Sequence, residues 1–103
     1  MPGTYTRVLQ TSEVPVGTKK AVDVGGKAIL ICNSENKLHA VSNICSHANE
    51  TLECGRMGRT WIACPTHGAR FELATGRAMN PPAVRPIKTY PVRVVDDWIE
   101  VEV

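Results

Sequence analysis

A chain of 103 residues, 43% hydrophobic and 21% charged, has the size of one globular domain with a single modest core and leaves no room for a separate catalytic domain. Its net charge of +2 is spread along the sequence without a basic run, which argues against a nucleic-acid-binding arm. Residues 1–10 contain no apolar stretch of signal-peptide length and no long apolar run follows, so a cytoplasmic protein with no membrane contact is expected.

Short β-branched runs alternate with turn residues from end to end, an all-β pattern. The first run is 5–9, followed by room for one short helical turn at 12–14. Runs 19–24 and 27–32 flank Gly25-Gly26, whose tolerance of positive φ predicts a tight hairpin. Asn33-Ser34-Glu35-Asn36 predicts the turn into run 37–42, and a further run covers 60–64. Runs 87–95 and 98–103 then close the chain around a turn at Asp96-Asp97. Four of the eight glycines fall between Asn43 and Met79, where alternating runs thin out. The expectation is one domain, in which a small subdomain at about 43–79 is inserted into a β base formed by 1–42 and 80–103.

Inside that insertion lie two matched clamps, Cys45-Ser46-His47 and Cys64-Pro65-Thr66-His67. Two soft thiolates and two borderline imidazoles at such spacings can hold a metal centre between two loops. Zinc fingers and ribbons mostly open with a cysteine pair, so one cysteine and one histidine in the first half is unusual for zinc. An iron pair with two cysteines on one iron and two histidines on the other fits better. A structural zinc module remains the alternative without redox chemistry, and two disulfides the reading for an exported chain.

Gly68, Phe71, Thr75-Gly76 and Pro81-Pro82 follow the clamps in order. On these residues the sequence resembles the Rieske proteins, closely in the insertion and loosely in the flanks. The resemblance implies a Rieske-like β-sandwich base with an inserted cluster-binding subdomain, and one [2Fe-2S] cluster as cofactor. It also implies that Cys45 and Cys64 bind the inner iron as thiolates and that His47 and His67 bind the outer iron. Pro81-Pro82-Ala83 resembles the family's proline loop, a third loop covering the cluster on one side.

The sequence departs from the high-potential members of that family. Glu50 and Thr66 stand where those members have a disulfide, and Ala69 and Phe71 where they have a serine and a tyrosine. Ala48-Asn49 follows His47 where glycine is usual, and Asn49 is a residue type that tolerates positive φ. A potential near the low end of the Rieske window, roughly −150 mV, is expected.

The function implied is that of a Rieske ferredoxin similar to those of bacterial aromatic-ring-hydroxylating dioxygenase systems. Such a protein is not an enzyme but a one-electron carrier, monomeric when free, between an NAD(P)H-dependent flavoprotein ferredoxin reductase and a terminal oxygenase. The alternative is a Rieske-like small subunit tightly bound to a larger enzyme, such as nitrite reductase or a multicomponent monooxygenase.

Other residues read more plainly. Cys32 and Cys54 are expected to be core cysteines, His39 a surface strand residue, and Trp61 and Trp98 suppliers of buried area. Arg56, Arg59, Arg70 and Arg77 flank the clamps, either as a docking rim or as a merely solvated face.

Overall fold

The computed structural model describes residues 4–46, 50–65, 68–80 and 85–103. Nine strands run through them: β1 Tyr5–Gln10, β2 Lys19–Val24, β3 Lys27–Ser34, β4 Lys37–Ser42, β5 Trp61–Ala63, β6 Arg70–Glu72, β7 Thr89–Tyr90, β8 Val92–Val95 and β9 Trp98–Glu102. The expected helical turn is a short 3-10 segment, Thr11–Glu13. No helix among the described residues is long and apolar enough to cross a membrane.

Two antiparallel sheets, ordered β1-β9-β8 and β2-β3-β4-β7, face each other as a sandwich. Between them lie Leu9, Val14, Val24, Ile29, Ile31, Ala40, Ile99 and Val101. A third, two-stranded sheet, β5-β6, belongs to the middle segment. It packs on the outer side of the larger sheet through a second core that joins Leu30, Cys32 and Val41 to Leu52, Ile62, Phe71 and Leu73.

Strand β3 therefore has apolar cover on both faces. Ile29 and Ile31 enter the sandwich, while Leu30 and Cys32 enter the outer core. This explains why Ala-Ile-Leu-Ile-Cys is one continuous apolar run instead of an alternating one.

All three expected hairpin turns form, each on two residues of positive φ: Gly25-Gly26, Glu35-Asn36 and Asp96-Asp97. The second is shorter than the four polar residues suggest, because Asn33 and Ser34 continue β3 and are buried. The Asn33 side-chain amide donates to the Val14 carbonyl at 2.8 Å, and the Ser34 hydroxyl donates to the Arg59 carbonyl at 2.5 Å. With such partners, polar side chains can be buried as ties between segments.

Run 87–95 divides at Pro91. Thr89–Tyr90 pairs with β4 in one sheet, and Val92–Val95 with β9 in the other. Proline lacks the N–H that a continuous ladder needs, so the chain changes sheets there. In β9, Glu100 lies opposite Arg7 on one side and Arg93 on the other. A hydrogen bond from Arg93, then one from Arg7, holds its carboxyl below the usual range against the opposing effect of burial.

Candidate metal centre

The two cysteines of the clamps begin two loops that are closed in the same way. The Cys45 amide donates to the Glu50 carbonyl at 2.8 Å, and the Cys64 amide donates to the Ala69 carbonyl at 2.7 Å. Each bond spans five residues, and each span contains one clamp histidine. His47 and His67 lie outside the described residues, as do Ala48, Asn49, Thr66, Pro81, Pro82 and Ala83.

Different frames carry the two loops. The first follows a single antiparallel bridge, Ile44 to Thr51. The second caps β5-β6, where Trp61, Ile62 and Ala63 pair with Glu72, Phe71 and Arg70. Segments on both sides widen that hairpin: Ala63 donates to Arg56 at 2.8 Å, and Met79 to Arg70 at 2.8 Å. Sequence inspection missed β6, because Arg70–Glu72 is only three residues long and its strand character comes from pairing.

Gly55 brings the first loop's continuation against the hairpin. A Cβ there would stand 1.7 Å from the Ala63 carbonyl oxygen, so only glycine fits the present backbone. Gly76, at φ +78°, ties the far end to the base by accepting the Ile87 amide at 2.8 Å.

Cys45 and Cys64 belong to one apolar cluster, 3% and 1% exposed, with Leu52, Ile62, Ala69 and Phe71. No disulfide joins any of the four cysteines. Two thiols at the starts of matched loops, in a dry surrounding, fit the cysteine side of a mixed cysteine/histidine iron-sulfur centre. Ala69 and Phe71 are both fully buried in the same cluster and carry no hydroxyl. Neither of these two side chains can donate a hydrogen bond to a cluster sulfur, which is the feature on which the low expected potential rests.

The remaining candidates divide. Cys32 is a core cysteine, and burial, opposed by nearby Lys19, pushes its thiol up to about 12. Cys54 is exposed, contrary to expectation. The Gly55 amide bonds back to the Leu52 carbonyl at 2.9 Å, which puts Glu53 and Cys54 at the corner of a turn whose ends are buried. His39 is half-buried beside Cys32, with its pKa held below the ordinary range first by burial and then by Lys37.

Trp61 and Trp98 are less buried than expected, and an arginine covers each ring, Arg70 at 4.2 Å and Arg7 at 5.4 Å from the centroids. The backbones of Arg56 and Arg70 bond to the β5-β6 frame at its loop end, whereas Arg59 and Arg77 stand at the opposite end; the Arg70 guanidinium reaches back over Trp61, and Arg59 pairs with Glu35 at 3.0 Å.

Comparison with known proteins gives this arrangement its family. The Rieske [2Fe-2S] domain family matches residues 4–91. The chain belongs to that family.

The ferredoxin component of the naphthalene 1,2-dioxygenase system of Pseudomonas aeruginosa is 37% identical over 82 residues, 80% of this chain and 79% of that protein. Among solved structures, the ferredoxin of carbazole 1,9a-dioxygenase from Nocardioides aromaticivorans IC177 superposes with a TM-score of 0.92 at 33% identity, covering 96% of this chain and 97% of that one. A chain of the complex of reduced oxygenase and oxidized ferredoxin in carbazole 1,9a-dioxygenase gives a TM-score of 0.89 at 25% identity, with 95% and 92% covered. This Rieske protein is thus an electron-transfer component of the ferredoxin type, and one [2Fe-2S] cluster is its cofactor.

Proposed function

We propose that Cys45 and Cys64, with His47 and His67, hold the Rieske cluster, and that residues 43–79 form the cluster-binding unit on the β base. The observation that carries this reading is the pair of loops closed alike at Cys45 and Cys64, with both thiols in one dry core. When bound, the cluster supplies one reversible electron at a potential set by burial and by hydrogen bonds to its sulfurs. The chain's own contribution is to keep the two cysteines dry and to present the opposite ends of the loops to a partner.

The protein takes electrons from an NAD(P)H-dependent flavoprotein reductase and delivers them to the terminal oxygenase of an aromatic-ring-hydroxylating system in the cytoplasm. Two visits supply the two electrons of one oxygenation. Support comes from the naphthalene-system relative and from the carbazole-system complex of ferredoxin with oxygenase. A shuttle must dock briefly, and interfaces of that kind bury less than about 1,200 Å².

The test is the visible and low-temperature EPR spectrum of anaerobically purified protein, before and after dithionite. A red-brown protein whose reduced form has an average g value below that of an all-cysteine two-iron cluster is expected. A colourless, zinc-loaded protein after attempted reconstitution would overturn the ligand assignment. For the shuttle role, catalytic amounts should reduce a many-fold excess of terminal oxygenase in the presence of reductase, and stoichiometric, persistent association would indicate a fixed subunit.

A further inference from the structure

The bonds that hold the first cysteine loop act at two depths. At its neck, the bridge between Ile44 and Thr51 and the bonds between Asn43 and Leu52 join the two ends. Beyond the neck, the Ser46 hydroxyl donates to the Arg85 carbonyl at 2.5 Å. Ser46 stands between Cys45 and His47 in the chain, so this bond acts where the loop would carry its ligands. A serine hydroxyl has a single proton, and here it is spent on a backbone carbonyl.

The acceptor is firmly placed. Arg85 precedes Pro86, whose ring fixes its own φ and restricts the residue before it. Ile87, 5% exposed, then enters the outer core, and its amide donates to the Gly76 carbonyl at 2.8 Å. A Cβ added at Gly76 would stand 2.0 Å from the Ile87 carbonyl oxygen, so the two backbones are in close contact. The Lys88 carbonyl accepts the Ser42 amide at 2.8 Å. Arg85 is thus two residues from a segment bonded both to the far end of the β5-β6 frame and to β4.

We propose that Ser46 is a positioning residue for electron transfer: its bond to the Arg85 carbonyl sets the orientation of the first ligand loop from outside the cluster, and its hydroxyl does not donate to a cluster sulfur. The second loop takes its orientation from the β5-β6 ladder. The first follows a single bridge, and a bond beyond the neck restrains rotation about it. The inference rests on the ligand assignment proposed above.

The experiment uses cluster-loaded protein, with Thr18→Ala as the control, since the Thr18 hydroxyl makes the same kind of exposed bond, to the Pro15 carbonyl at 2.7 Å, in the turn before β2. Hydrogen exchange followed by mass spectrometry should quicken about fivefold in the peptide 43–52 of Ser46→Ala, the size of one hydrogen bond, with the peptide 60–72 unchanged. The EPR signal of the reduced protein should broaden, because a looser loop holds its ligands in a wider range of orientations, while the potential should not fall. Ser46→Thr, which keeps the hydroxyl, should restore both exchange and line shape, and Thr18→Ala should change neither.

Wild-type exchange and line shape in Ser46→Ala would overturn the proposal, as would the same changes in Thr18→Ala. A lowered potential with unchanged exchange would also overturn it, by showing the hydroxyl donating to the cluster, and so would equal quickening in both peptides, the mark of a general loss of stability. If Ser46→Ala takes up no cluster, Pro86→Gly decides, since it leaves the loop intact and loosens the acceptor. Quicker exchange confined to 43–52 then supports the proposal, and exchange unchanged there, or raised equally in both peptides, overturns it. Failure of the ligand assignment would show first, as wild-type protein without a Rieske spectrum.

Discussion

The two cysteine loops reach the same closure by different means. The loop at 64–69 extends a paired hairpin, so its position follows from a backbone ladder with further segments bonded on both sides. The loop at 45–50 is held by one bridge, by the Ser46 hydroxyl, which donates to the Arg85 carbonyl, and by Asn43, which is 4% exposed. The Leu52 amide reaches both the Asn43 carbonyl at 2.8 Å and the Asn43 side-chain oxygen at 3.1 Å, while the Asn43 amide holds the Ala28 carbonyl at 2.9 Å. One buried residue, through its backbone and its side chain together, therefore does for the first loop much of what a sheet does for the second. The first loop should be the weaker side of the site.

The largest effect tests whether the two loops share one cofactor at all. Cys45→Ser and Cys64→Ser should each abolish the Rieske spectrum, and His67→Cys should destroy or convert the cluster and lower its potential; an unchanged spectrum and potential would remove that residue from the ligand set. Next comes Gly55→Ala, which drives a methyl into the Ala63 carbonyl where the two loop frames meet. It should cost about 3 kcal/mol in denaturant unfolding, and a loss below about 1 kcal/mol would mean that the frames can part.

Asn43→Ala tests the asymmetry directly. Losing a buried hydrogen-bonding side chain should cost about 1–3 kcal/mol, with faster amide exchange confined to the first loop. Equal loosening of both loops would contradict the comparison. Ala69→Ser with Phe71→Tyr should raise the potential in protein-film voltammetry by placing hydroxyls in the dry core of the second loop, and no shift would mean that they do not reach the cluster sulfurs.

The smallest effect concerns docking. Arg56→Glu, at the loop end of the hairpin, should slow electron delivery at low salt and much less at high salt, whereas Arg59→Glu, at the far end and already paired with Glu35, should change it little. Equal effects of both reversals would dissolve the distinction between the two ends.

Much of this was legible in the residues themselves. The hairpins at Gly25-Gly26 and Asp96-Asp97 follow from residue types that tolerate positive φ. The all-β class follows from β-branched runs of the right length, and the clamps from thiolate and imidazole chemistry at fixed spacing. Other features resisted. Asn33 and Ser34 look like turn residues until Val14 and Arg59 supply their buried partners. Cys54 looks like Cys32 until the turn that closes on Leu52 points it outward. Run 87–95 looks like one strand until Pro91 divides it between two sheets.

The sequence by itself determined the local chemistry: which residues can donate to iron, which can turn the chain, and which positions near the clamps lack a hydroxyl. Those are properties of single side chains and short spacings, unchanged by what lies across the fold. Only the tertiary structure decided that β3 is buried on both faces, that Arg59 pairs with Glu35 across the fold, and that Ser46 of the first loop bonds to the Arg85 carbonyl while the Arg70 amide bonds to the Asn80 side chain. Each of these depends on a neighbour far away in the chain, and burial and pairing arise only when such distant segments meet.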